Sequence, residues 1–236
     1  MLVLFLPASR PGSVKPNFKL AEATTPDGGQ LVLYEHDGSF CIRLNGLQLI
    51  HSAATTSELL LGELAAENLS RVAEPRILIG GLGLGFTLKS VLDIVGRAAK
   101  IQVAELIPEI VDWNQRFMSC LHGALLEDPR VEVVVVDVWE LLTRVVEPAY
   151  DALLVDVDNG PKAMVQNQNA RLYSRNGLER IAAALKDGGR AVFWSADPAP
   201  EFSERLVGAG FRVKAVSARL YAAAPRCAGT IYVADK

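Results

Sequence analysis

The 236-residue chain predicts a doubly wound, mostly parallel seven-stranded α/β sheet, preceded by a small antiparallel β-meander. From Arg76 onward, short apolar runs alternate with helical stretches. The first of those runs ends in a glycine loop, ILIGGLGLGF (77–86). The early runs are continuously apolar, as strands covered on both faces must be. Strand, loop and helix repeated in that order wind a sheet from parallel strands with helices on both sides.

Taken in order, residues 1 to about 30 read as a loose Pro/Gly/Ser/Thr lead-in ending at the turn signal PDGG. In LVLYEHDGSFCIRLNGLQLIHS, Asp37-Gly38 and Asn45-Gly46 separate apolar runs, and these two dipeptides suit type I′ hairpin turns. Ser57 then precedes ELLLGELAAENL, which reads as an N-capped amphipathic helix. The expected sheet strands are RILIG (76–80), KIQVAE (100–105), VEVVVVD (131–137), YDALLVD (150–156), GRAVFWS (189–195), FRVKAVS (211–217) and GTIYVA (229–234). Between them lie FTLKSVLDIV, PEIVDWNQRFM with Pro108 in its first turn, SRNGLERIAAAL and APEFSERLVGA as helices. The division expected is residues 1–56 for the lead-in and β-domain, and 57–236 for a Rossmann-like nucleotide-binding domain.

Composition narrows the function. Half the residues are hydrophobic, 22% are charged, the net charge is −3 and the pI is near 5.7, so no basic stripe for nucleic acid is expected. No apolar stretch is long enough to span a bilayer. The start MLVLFLPASR lacks a basic n-region and is broken by Pro7, so a signal peptide is not expected and a cytoplasmic location is. Cys41, Cys120 and Cys227 are scattered, as are His36, His51 and His122, which suggests neither a disulfide framework nor a metal site.

In open α/β sheets ligands bind beyond the carboxyl ends of the strands. Strand one ends in Gly80, Gly81, Gly83 and Gly85, strand two in Glu105, strand three in Asp137, and strand four in Asp156, followed by Asp158, Asn159 and Gly160. Glycines let backbone N–H groups approach a ligand and open a helix whose positive end faces it. An acid closing strand two can accept both hydroxyls of a ribose. One closing strand three can accept from an adenine amine, although Asp137 reads equally well as a helix N-cap. A dinucleotide loop wants GxGxxG, and Phe86 holds the third glycine's place; there is no GK[ST] phosphate loop. GxGxG spacing, with an acid on strand three, points to an S-adenosyl nucleotide, and a dinucleotide oxidoreductase is disfavoured.

Five segments in this order resemble the spermidine synthase (polyamine aminopropyltransferase) family: ILIGGLGLGF, VAELIPEIVDWN, DPRVEVVVVD, YDALLVDVDNGP and LYSRNGLERIAAALKDGGRAVFWS. The resemblance implies a class I methyltransferase-like Rossmann fold. It also implies aminopropyl transfer from decarboxylated S-adenosylmethionine to an amine, leaving methylthioadenosine. Carried onto this chain, Glu105 binds the ribose, Asp137 the adenine amine and Asp156 acts as the catalytic carboxylate, with Glu58, Asp158 and Asn159 on the substrate side. The chain departs from the pattern at three places. The family loop usually reads GGGDGG, and its aspartate, which recognises the donor's terminal amine and repels a methionine carboxylate, falls on Gly83. Ordinary S-adenosylmethionine, with S-adenosylhomocysteine as product, should then fit. Thr56-Ser57-Glu58 replaces the tyrosine-containing motif, so an aromatic wall is missing although Glu58 stays. Asn159 stands where a second acid is usual. The expected function is an alkyl transfer, aminopropyl or methyl, to a small amine by a homodimer. The alternative is a non-catalytic nucleotide-binding or scaffold protein on the same fold. Trp113 is expected to pack in the core, while Trp194, Tyr173 and Tyr221 are left open.

Overall fold

The computed structural model describes residues 16–157, 160, 167–219 and 229–236. Four strands come first: β1 (Phe18–Thr24), β2 (Gln30–His36), β3 (Ser39–Leu44) and β4 (Leu47–His51), paired in that order as an antiparallel meander. Asp37, Gly38, Asn45 and Gly46 all have positive φ (49°, 78°, 50° and 82°), the backbone that two-residue I′ turns require. One expectation is corrected: β1 lies within the stretch read as a loose lead-in. FKLAEAT buries only Ala23 and has no clear alternation, so its strand state comes from pairing with β2, across an irregularity between Lys19 and Ala21.

Helix α1 (Thr56–Ala66) leads into the main sheet. Ser57 is not its cap: Thr55 holds that position without a side-chain bond, and the Ser57 hydroxyl donates to Glu58 Oε2 instead. Then follow β5 (Arg76–Gly80), α2 (Phe86–Ile94), β6 (Lys100–Glu105), α3 (Pro108–Phe117), the single turn α4 (Ser119–His122), β7 (Val131–Val135), α5 (Val138–Arg144), β8 (Tyr150–Val155), α6 (Arg175–Ala184), β9 (Leu185–Ser195), α7 (Pro200–Gly208), β10 (Arg212–Ala218) and β11 (Gly229–Asp235). Strand β9 begins four residues earlier than expected. Lys-Asp-Gly-Gly, read as a helix end, is instead an irregularity inside the strand, where pairing jumps from Tyr150↔Leu185 to Ala152↔Arg190.

The seven strands run in the order β10-β11-β9-β8-β5-β6-β7, with β7, β6, β5, β8 and β9 parallel and the last two antiparallel. The chain winds outward from β5 to β7, then returns to β8 on the other flank of β5. That reversal opens a crevice between β5 and β8, beyond their carboxyl ends. Alternation along β5 divides the interior: Ile77 and Ile79 join a core containing Leu61, Leu88 and Trp113, whereas Leu78 joins one with Leu153, Ile181 and Phe202. The meander packs into the first core through Leu31, Leu33 and Ile42. Each such fully buried aliphatic side chain contributes about 1.5–3 kcal/mol of burial, so the meander is fixed over the same sheet face that carries α1 and α2. This packing brings β4 to the crevice.

Candidate active site

The glycine loop is positioned by its backbone. The Gly81 N–H donates to the Ala104 carbonyl (2.8 Å), and the Asp156 N–H donates to the Gly80 carbonyl (2.9 Å), so β5, β6 and the end of β8 are tied together at this point. Gly81 has φ +92°, and a Cβ there would lie 2.2 Å from the Asp156 carbonyl oxygen. Glu105, the last residue of β6 and only 7% exposed, accepts from the N–H groups of Leu82 (2.8 Å) and Ile107 (2.9 Å). Burial pushes its carboxyl above the usual range, and these backbone donors work against that rise. Asn114, buried on α3, donates to the Gly83 carbonyl at 2.8 Å and holds the loop from the other side. Nothing in the sequence reading singled Asn114 out, although a polar residue on the buried face of an amphipathic helix was the available signal.

Asp137 lies just beyond β7 and caps α5. Its Oδ1 accepts from the Trp139 N–H at 2.9 Å, and its Oδ2 takes the Arg171 guanidinium. That guanidinium stands 5.0 Å from the centre of the Trp139 ring. Of the two readings open in the sequence, the capping one is present in the geometry, and Asp137 also lines a cavity of about 90 Å³ together with Glu105, Gly81 and Gly83.

Next to it, and sharing Gly83 and Asp156 with it, is a cavity of about 240 Å³. Here α1 brings Glu58 to face Asp156. Each carboxylate holds a hydroxyl: Ser57 donates to Glu58 Oε2 (2.5 Å) and Thr87, in the first turn of α2, donates to Asp156 Oδ2 (2.7 Å). Burial raises both acids. Glu58, pushed further by the negative Asp156, reaches about 7, and Thr87 offsets part of the rise at Asp156. The structure therefore brings Gly81, Gly83, Glu105, Asp137, Asp156 and Glu58 to these two cavities, whereas Gly80 and Gly85 line neither: a Cβ on Gly80 would meet Val138, and one on Gly85 would meet His122 and Asn114. Asp158, Asn159 and Tyr221 lie outside the described residues. Tyr173 does not reach this face: it is 1% exposed and packs against Phe193 and Phe202.

Sequence reasoning missed His51 and Gln48 on β4, and Thr87, all of which line the larger cavity. Trp194, at the end of β9, lines it as well and brings an aromatic side chain to the cavity from another strand. Ile50 also projects here: a Cβ on Gly83 would lie 3.1 Å from its Cδ1. Among the described residues no cluster of His, Cys, Asp and Glu could hold a metal ion, and no helix is long and apolar enough to cross a membrane.

The raised Glu58 carboxyl makes stability depend on pH. Folded, Glu58 keeps its proton up to about 7, while the unfolded chain releases it near 4.5, so stability falls as pH climbs through that window. Glu58→Gln removes the cost of a buried charge. It is expected to stabilise the protein at pH 8 by on the order of 2 kcal/mol and to change little at pH 4. Urea unfolding at the two pH values checks this, and equal effects at both would refute the burial argument.

Comparison with known proteins fits this geometry. Residues 64–207 match the family model described as the spermine/spermidine synthase domain. Over 114 residues the chain is 32% identical to putrescine N-methyltransferase 2 of Nicotiana attenuata, covering 48% of this chain and 29% of that protein. Over 139 residues it is 27% identical to polyamine aminopropyltransferase 1 of Hyperthermus butylicus, covering 56% and 46%. The chain thus matches less than half the length of these relatives. Spermidine synthase from Thermotoga maritima superposes with a TM-score of 0.71 over 92% of this chain and 72% of that one, at 17% identity. The glycine loop, Glu105, Asp137 and Asp156 all fall within the matched segment, which covers more than half of the chain; the chain belongs to the spermine/spermidine synthase family.

Proposed function

We propose that the chain is a transferase that binds an S-adenosyl nucleotide and moves an alkyl group, methyl or aminopropyl, from its sulfonium to a small amine. The observation that carries this reading is the pair of facing carboxylates, Glu58 and Asp156, beside a glycine loop braced by Glu105. In the proposed arrangement the nucleotide lies along the loop. The second lone pairs of Glu105 accept the ribose hydroxyls, and Asp137 accepts from the adenine amine. The amine nitrogen attacks the carbon bonded to sulfur, the C–S bond breaks with its electron pair remaining on sulfur, and the nitrogen's proton passes to Asp156. Glu58, ionised above about pH 7, holds the ammonium form on arrival. A location in the cytoplasm and assembly as a homodimer remain part of this proposal.

Gly83 favours a donor with its methionine carboxylate intact, because no acid stands there to repel it. Similarity to a putrescine N-methyltransferase supports methyl transfer, and similarity to polyamine aminopropyltransferases supports the other. Calorimetric titration with S-adenosylmethionine, its decarboxylated form and methylthioadenosine tests the reading. Binding of at least one is expected, with S-adenosylmethionine preferred over its decarboxylated form, and Glu105→Ala is expected to weaken it by at least 100-fold, about 2.7 kcal/mol. If none binds, the proposal fails; preference for the decarboxylated donor overturns only the role given to Gly83.

A further inference from the structure

We infer that Gly62 and Ser90 are positioning residues for the facing carboxylates: the close crossing of α1 and α2 that they form sets where Glu58 stands against Asp156. This deepens the proposed function and rests on the roles given there to the two acids. Glu58 sits in the first turn of α1 and Asp156 just beyond β8, so their separation is fixed only through what each packs against. Helix α2 holds both. Thr87 donates to Asp156 Oδ2 at 2.7 Å. One turn further along the same helix face, the Ser90 hydroxyl donates to the Leu59 carbonyl, next to Glu58, at 2.7 Å. Thr87 and Ser90 are both buried, so water does not compete for either hydroxyl.

Gly62 lies one turn beyond Glu58 on the same face of α1 and lets the two helices approach. A Cβ there would lie 2.6 Å from Ser90 Cβ, 2.7 Å from Ser90 Oγ and 3.0 Å from the Thr87 carbonyl oxygen. Ser90 Cβ and the Thr87 carbonyl are fixed to the backbone of α2, and a rotamer change moves neither. Glycine is a poor residue for a helix interior, and Gly62 is not among the glycines with positive φ. The close approach is what the position requires. Burial of Leu61, Ala65 and Leu88 holds both helices in the first core, while the Gly62–Ser90 crossing fixes the distance between them.

Repulsion between two like charges falls with distance, and a carboxyl regains water once its neighbours withdraw. Both causes of the raised Glu58 carboxyl, burial first and Asp156 second, therefore depend on this crossing. Among the described residues, Asp156 beyond β8 and His51 on β4 line the cavity with Glu58. On the helices themselves, Glu63 is exposed and Lys89 pairs with Asp93 on the outer side of α2.

Carbon-13 NMR of carboxyl-labelled glutamate follows Glu58 in the full chain, its signal identified by its loss in Glu58→Gln. The unaltered protein is expected to titrate near about 7. Ser90→Ala removes the hydroxyl without adding bulk, and Gly62→Ala forces the helices apart. Each is expected to lower the Glu58 midpoint by about half a pH unit or more, toward the model value of 4.5. Each is also expected to slow turnover about tenfold while nucleotide affinity stays within about twofold, with the acid limb of the pH–rate profile moving down alongside the midpoint. A purely structural loss of stability would leave the Glu58 midpoint of the folded protein where it is. A midpoint that stays or rises in Ser90→Ala overturns the inference, whether or not Gly62→Ala folds. Failure of every S-adenosyl nucleotide to bind sinks the proposed function instead; the NMR midpoint needs neither donor nor turnover, so the two failures are distinguishable.

Discussion

Asp156→Asn is expected to lower turnover by about 10²- to 10⁴-fold, the range for loss of a positioned acid–base group, while nucleotide affinity stays within a few-fold. The change is nearly isosteric. Thr87 Oγ1 can still donate to the amide oxygen, and the Asp156 N–H bond to Gly80 is a backbone contact that the substitution leaves alone. What disappears is the negative charge and the ability to accept a proton. A second consequence separates this from general damage. Without the Asp156 charge, one cause of the raised Glu58 carboxyl is removed, so the acid limb of residual activity shifts below pH 7. Steady-state rates across pH 5–9, with product separated chromatographically, measure both effects. Turnover unchanged in the variant would remove Asp156 from the chemistry. A protein with no turnover at all, but with intact nucleotide binding, would fit the non-catalytic alternative.

The largest structural effect is expected at Gly81→Ala, a loss of about 3 kcal/mol or more. The new Cβ would lie 2.2 Å from the Asp156 carbonyl oxygen and 2.9 Å from its carbon, and both are backbone atoms that a rotamer change cannot move. The residue also holds φ +92°, where an L side chain is strained. Relief would require β8 to withdraw from β5, breaking the bond from Asp156 N–H to Gly80 and displacing the carboxylate that faces Glu58. Gly83→Ala is the internal comparison: it meets only the end of the flexible Ile50 side chain at 3.1 Å, at φ +52°, and its expected cost is about 1–2 kcal/mol. Urea unfolding of the two variants side by side checks the order. Equal destabilisation would show that the close approach of Gly81 to Asp156 is not what the position requires.

Much of the sheet was legible because its signals are local. All seven strand positions were readable from apolar runs bounded by turn chemistry, and Asp37-Gly38 and Asn45-Gly46 specify their turns through positive φ alone. Two of the misreadings share one cause, sheet pairing overriding a local signal. Strand β1 has weak alternation and is held by pairing with β2. Lys-Asp-Gly-Gly resembles a helix stop, yet sheet pairing on both sides of it makes it a strand irregularity. Ser57 resembles a cap, but the helix starts one residue before it, at Thr56, so Ser57 lies within the first turn and its hydroxyl donates to Glu58 Oε2.

The candidate site divides along the same line. The sequence by itself determined that a glycine loop and the acids Glu105, Asp137 and Asp156 lie at or just beyond the ends of successive strands, because period and strand length place those residues near carboxyl ends whatever the strand order. Tertiary structure alone decided what faces them. Glu58 opposes Asp156, Trp194 brings an aromatic side chain to the cavity, His51 and Ile50 descend from the meander over Gly83, and Arg171 takes the free oxygen of Asp137. Such pairs join side chains far apart in sequence. Their meeting depends on strand order and on which core each element packs into, and no local period carries that information.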